Sequence, residues 1–155
     1  MKQEADVRET LSSAEEVALP IDLLKRFTPT PLEVAFELSG TTIRLATNSD
    51  LMRDRLRMFL PSAQAESQCN ARVFWRIVVE PEREARDEPP GVHRMSHGGL
   101  AFVRVGHRSF LAYDRQARQG ISFISETLVR NDKMFSQYLL PALMSLLNES
   151  IEASF

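Results

Sequence analysis

The sequence predicts an α+β fold: a single layer of about six mostly antiparallel strands with two main helices packed on it. Three observations carry that expectation. Several segments alternate apolar and polar residues with the period of a half-buried strand, two others switch to helical period, and most of the strand segments are joined by short polar turns.

Residues 1–12 are polar and are expected to fray, leaving 13–155 as one α+β domain. "SSAEEVALPIDLLKRF" opens like a helix, with Ser12 or Ser13 as cap and Glu15 and Glu16 in its first turn, until Pro20 breaks or restarts it. In "LEVAFELS" the residues Leu32, Val34, Phe36 and Leu38 fall on one face, and after the turn "SGTT" the chain returns with Ile43 and Leu45 inward, which makes a β-hairpin. A helix follows in "TNSDLMRDRLRMFLP": Asn48 or Ser49 can cap it, Met52, Leu56, Phe59 and Leu60 form its stripe, and Pro61 ends it. Asp50 with Arg53 and Asp54 with Arg57 have the spacing of ion pairs on its solvated side.

"ARVFWRIVVEP" is apolar on both faces, the mark of an interior strand. "EREARDEPPGVHRMSHGG" is charged, holds two adjacent prolines and has no sustained apolar period, so it is expected to be a surface loop. Three strands should follow in "GLAFVRV", "RSFLAYD" and "GISFIS", joined through Gly106-His107 and then through "RQARQ". Ser125 with Glu126, or Asn131 with Asp132, then caps a final helix striped by Phe135, Leu139, Leu143, Leu146 and Leu147, in which Pro141 is expected to make a kink.

The chain has 155 residues, the size of one ordinary domain, and a formal net charge of −2, which gives no basic footprint for nucleic acid. Its only cysteine, Cys69, cannot close an intrachain disulfide, and "MKQEADVRET" lacks the apolar core of a signal peptide, so a cytoplasmic protein is expected. No apolar run reaches the roughly 20 residues that span a bilayer, so no membrane partner is expected either.

Candidate chemistry is sparse. His93 and His97 in "HRMSH" stand four apart, as helical metal ligands do, with Cys69 or Glu88 as conceivable third ligands, but the glutamate that follows the first histidine of a metalloprotease helix is missing. A small-molecule or metal-dependent hydrolytic site under this loop is the alternative functional reading. No G-x-S-x-G elbow, G-x-x-x-x-G-K-[ST] loop or G-x-G-x-x-G turn occurs, and no cofactor or catalytic residue is assigned. Arginine outnumbers lysine 16 to 3. Arg72 and Arg76 share one strand face and Arg104 and Arg108 flank a turn, so Arg72, Arg76 and Arg104 are the candidate anion-binding residues, with Glu33, Glu37 and Glu80 available to neutralise such arginines.

The series "LATNSDLMRDRLRMFLP", "WRIVVEP", "RSFLAYDRQARQGISFIS" and "FSQYLLPALMSLL" resembles the N-terminal, non-catalytic region of bacterial proteins related to HPr kinase/phosphorylase, over residues 32–147. In those proteins, the resemblance implies, a helix like "YLLPALMSLL" leads into a strand and then a nucleotide-binding P-loop. This sequence ends at Phe155 before any P-loop, so no phosphoryl-transfer residue carries over. The expected function is therefore a non-enzymatic accessory or interaction domain that binds a protein partner, such as a P-loop kinase-like or phosphocarrier protein, or a second copy of itself. Its expected docking surface is the outer side of the last helix, around Tyr138, Pro141, Met144 and Leu147.

Overall fold

The computed structural model describes residues 28–63, 71–81 and 89–152. The expected helix at 13–27 and Cys69 and Glu88 lie outside them. The described residues form an α+β unit built on one mixed seven-stranded sheet in the order β1-β2-β3-β7-β6-β5-β4.

Strands β1 (Leu32–Leu38) and β2 (Thr41–Thr47) make the expected antiparallel hairpin. Its two loop residues, Ser39 and Gly40, both take positive φ, the requirement of a turn whose twist matches the strands. Helix α1 (Asp50–Phe59) then carries the chain to β3 (Val73–Glu80), which lies parallel to β2. Ser49 is the cap, its hydroxyl accepting from the Met52 N–H at 3.2 Å. Beside it, the Asn48 side chain extends the β2–β3 pairing: its amide donates to the Val79 carbonyl at 3.0 Å and its oxygen accepts from the Val79 N–H at 2.8 Å.

From the centre of the sheet the chain passes to the far edge and returns as an antiparallel meander, β4 (Val92–His97), β5 (Leu100–Val105), β6 (Ser109–Asp114) and β7 (Gln119–Ser125). β7 closes the sheet by lying parallel to β3. The β6–β7 turn is set by Asp114, whose carboxylate accepts from the N–H groups of Gln116 and Ala117.

Two features depart from the expectation. The stretch expected to be a loop contains β4, a seventh strand. All six of its residues are exposed, so it has no apolar alternation to betray it, and a Gly98-Gly99 turn pairs it with β5. The final helix is also divided. α2 (Glu126–Arg130) stops at Asn131, whose side chain caps the next turn by accepting from the Met134 N–H. A π-helical stretch, Phe135–Leu139, follows and feeds α3 (Leu140–Glu152). There the Leu140 N–H bonds to the Phe135 carbonyl, five residues back, immediately before Pro141, which has no N–H to continue the ladder.

The helices gather on one face. Val34, Phe36, Ile43, Leu45, Trp75, Ile77, Val103, Leu111 and Tyr113 from the strands, Met52 and Leu56 from α1, and Leu143, Leu146 and Leu147 from α3 form one continuous core. Arg55 ties α1 to the end of α2, donating to the carbonyls of Val129 and Arg130 and pairing with Asp132 at 2.5 Å.

Within this core Trp75 lies across Gly120, its register partner on β7, where a Cβ would stand 2.1 Å from the indole. The indole N–H donates to Ser122 at 2.8 Å and the ring stacks on Tyr113 at 5.5 Å. Glycine is needed here for the close approach of a side chain.

Candidate functional site

Alternation along the strands divides their side chains between the helix-covered face and the opposite, open face. On β4 the division is visible in the contacts: Arg94 reaches beneath the sheet to Glu149 and Ser145 of α3, so His93, Met95 and His97 point the other way. Register then places Met95 beside Phe102 and Ala112, and His97 beside Leu100. Leu100, Met95 and Phe110 are 40%, 69% and 37% exposed, and with half-buried Phe102 they form a contiguous apolar patch over β4, β5 and β6. No described helix lies on it.

The two sheet edges differ. Residues 61–63 run along β1, with Glu37 N–H donating to the Pro61 carbonyl and Ala63 N–H to the Ala35 carbonyl. Among the described residues nothing covers β4 in this way.

At one end of the patch is a cavity of about 160 Å³. Its walls come from residues 89–91 and the adjoining part of β4, from the β5–β6 turn with the strand ends beside it, and from the segment that runs from the end of β7 through α2 to Met134. The Gly106 N–H bonds to the Gly91 carbonyl at 2.7 Å, and positive φ at Gly106 lets this turn close against Pro90. His93, Arg104, His107 and Arg108 line the cavity, with Leu128 and Met134 as apolar floor and Thr127 and Ser109 supplying hydroxyls.

The candidate anion residues are thus not brought together. Arg72 precedes β3 and Arg76 lies on it, whereas Arg104 is on β5, three strand spacings or roughly 14 Å away. Arg76 donates to the Thr28 carbonyl. Of the expected acids, Glu33 pairs with Arg44 at 2.6 Å. The companions of Arg104 are the side chains that strand pairing and the turn put beside it, His93 by register across β4–β5 and the two residues after Gly106.

His93 and His97 sit on a strand, where four residues span roughly 13 Å, so helical ligand spacing does not apply to them. No group of three or more His, Cys, Asp or Glu that could hold a metal ion occurs among the described residues. Of the expected docking residues, Pro141 is exposed, Tyr138 and Met144 are half-buried against the core, and Leu147 is fully buried within it, because α3 turns that side of its stripe to the sheet. Asp50 pairs with Arg53 at 3.0 Å as expected, and Arg53 also reaches Asp54 at 3.2 Å.

No described helix is long and apolar enough to cross a membrane. No protein-family model, curated protein or solved structure matches the chain.

Proposed function

We propose that the chain is a non-enzymatic interaction domain, of the kind found on the N-terminal, non-catalytic side of HPr kinase-like proteins, and that it docks a protein partner on the open face of its sheet. The observation that carries this reading is the apolar patch of Met95, Leu100, Phe102 and Phe110, which includes the edge strand β4, an edge that no other described residue covers. Contiguous apolar surface of this kind marks contact sites. The partner is a protein with an apolar centre and an acidic rim, because the end of the patch carries His93, Arg104 and Arg108. The resemblance in sequence points to a P-loop kinase-like or phosphocarrier protein in that role.

The test is affinity capture of the full chain and of single-site variants from the extract of the source cell. One stoichiometric partner is expected with the wild type and with Arg57→Glu, which alters the exposed side of α1, and its loss is expected with Met95→Glu or Phe110→Glu. A partner retained by both patch variants and lost by Tyr138→Glu would move the docking surface to the outer side of α3, where Pro141 is exposed.

A further inference from the structure

The cavity beside the patch has a chemistry of its own. Arg44, Arg53, Arg55, Arg94, Arg115 and Arg130 each sit against a carboxylate. Among the described residues Arg104 and Arg108 do not, and no described Asp or Glu lines the cavity they enter. Two guanidinium forks and two imidazoles from β4, β5 and the β5–β6 turn therefore share one space without a counter-charge from the described residues.

We propose that this cavity is a binding site for a phosphate-type oxyanion, taken either as free phosphate or as the phosphoryl group of an organic monoester. Charge selects an anion, and the number of donors selects among anions. Two guanidinium forks can each bond two oxygens, and two imidazoles and a threonine hydroxyl add further donors, more than the two oxygens of one carboxylate can use. A phosphate presents three or four oxygens and carries a charge that two arginines match. Volume sets the upper limit. About 160 Å³ accommodates one small oxyanion group and falls well below the roughly 300 Å³ at which pockets for larger organic ligands begin. The backbone bond between Gly106 and Gly91 fixes the turn against residues 89–91, so the cavity exists before the anion arrives.

The site shares His93, Arg104 and Arg108 with the rim of the docking surface but none of its apolar centre of Met95, Leu100, Phe102 and Phe110, so a variant of that centre separates the two readings. The experiment is calorimetric titration of the full chain with inorganic phosphate, with acetate and with phenyl phosphate, at constant ionic strength adjusted with chloride. Saturable binding of phosphate is expected, at least tenfold tighter than acetate, and weakened at least tenfold in Arg104→Ala and in Arg108→Ala. Both arginines are exposed, so the variants are expected to unfold at the wild-type urea midpoint in phosphate-free buffer. Met95→Glu, which removes the docking patch, is expected to bind phosphate as the wild type does. Tighter binding of phenyl phosphate would identify a phosphoryl monoester as the source, and tighter binding of inorganic phosphate the free ion. No heat beyond that of chloride, or wild-type affinity in the Arg104→Ala, Arg108→Ala double variant, would overturn the proposal.

Discussion

Replacing Gly120 with alanine tests the packing on which the whole sheet depends. The new Cβ would lie 2.1, 2.3 and 2.4 Å from Cδ2, Cε3 and Cε2 of Trp75, so either the indole or the β7 backbone must move. Neither is free to do so. Trp75 is 2% exposed, its N–H is bonded to Ser122, and its ring lies 6° from parallel with that of Tyr113. β7 is hydrogen-bonded on both sides, to β3 and β6. Overpacking of this kind costs about 1–3 kcal/mol, and disturbing the indole bond and the ring stack adds about 1 kcal/mol each. Stiffening the unfolded chain returns only about 0.4–1 kcal/mol. The expected net loss is about 3 kcal/mol, read from urea unfolding followed by circular dichroism and by the fluorescence of Trp75, the chain's single tryptophan. A loss below about 0.5 kcal/mol would refute the reasoning. So would full additivity with Trp75→Leu, because removing the indole should relieve most of the clash and leave a coupling energy of about 1–3 kcal/mol.

Two other substitutions probe single bonds in the same sheet. Asn48→Ala leaves both backbone groups of Val79 without their side-chain partner and should cost about 1–2 kcal/mol, with faster hydrogen exchange at the Val79 amide; unchanged exchange there would show that the Asn48 bridge contributes nothing. Burial pushes the Tyr113 hydroxyl above its ordinary value of 10.0, against the opposing influence of the neighbouring Ser150 hydroxyl, while among the described residues no hydrogen bond of good geometry reaches the phenol oxygen. The folded protein therefore holds this proton where the unfolded chain releases it, so the stability tied to it is full below pH 10 and is lost as pH rises through the higher folded value. Tyr113→Phe should leave stability at pH 8 unchanged or slightly raised and should flatten the alkaline decline. An equally steep decline in the variant would place the titrating group elsewhere.

Legibility of this fold in the sequence followed the strength of its periodic signals. The β1–β2 hairpin, α1, β3 and the β6–β7 pair were legible because one buried face forces alternation at period 2 or a stripe at helical period, as Val34 and Phe36 or Met52 and Leu56 show. β4 was hidden because an edge strand exposed along its length has no buried face to pattern, and only the Gly98-Gly99 pair before "LAFVRV" hinted at a hairpin. The candidate cavity was legible in part. Arg104 and His93 stood out as residues, but their partnership depends on register across β4–β5, and the separation of Arg104 from Arg72 and Arg76 depends on a strand order that alternation does not encode. Gly120 carried a signal too, as a lone glycine inside an apolar strand, but the tryptophan across it is 45 residues earlier in the chain.

The central claim is that a protein partner docks on the open face over β4, β5 and β6. The most direct measurement is amide hydrogen exchange of the captured complex against the free chain, followed by mass spectrometry. The account predicts added protection in Val92–His97 and Leu100–Val105, strongest along the outer edge of β4, with no change in Asp50–Phe59. Protection confined to Leu140–Glu152, or a complex that leaves β4 exchanging as it does in the free chain, would contradict it.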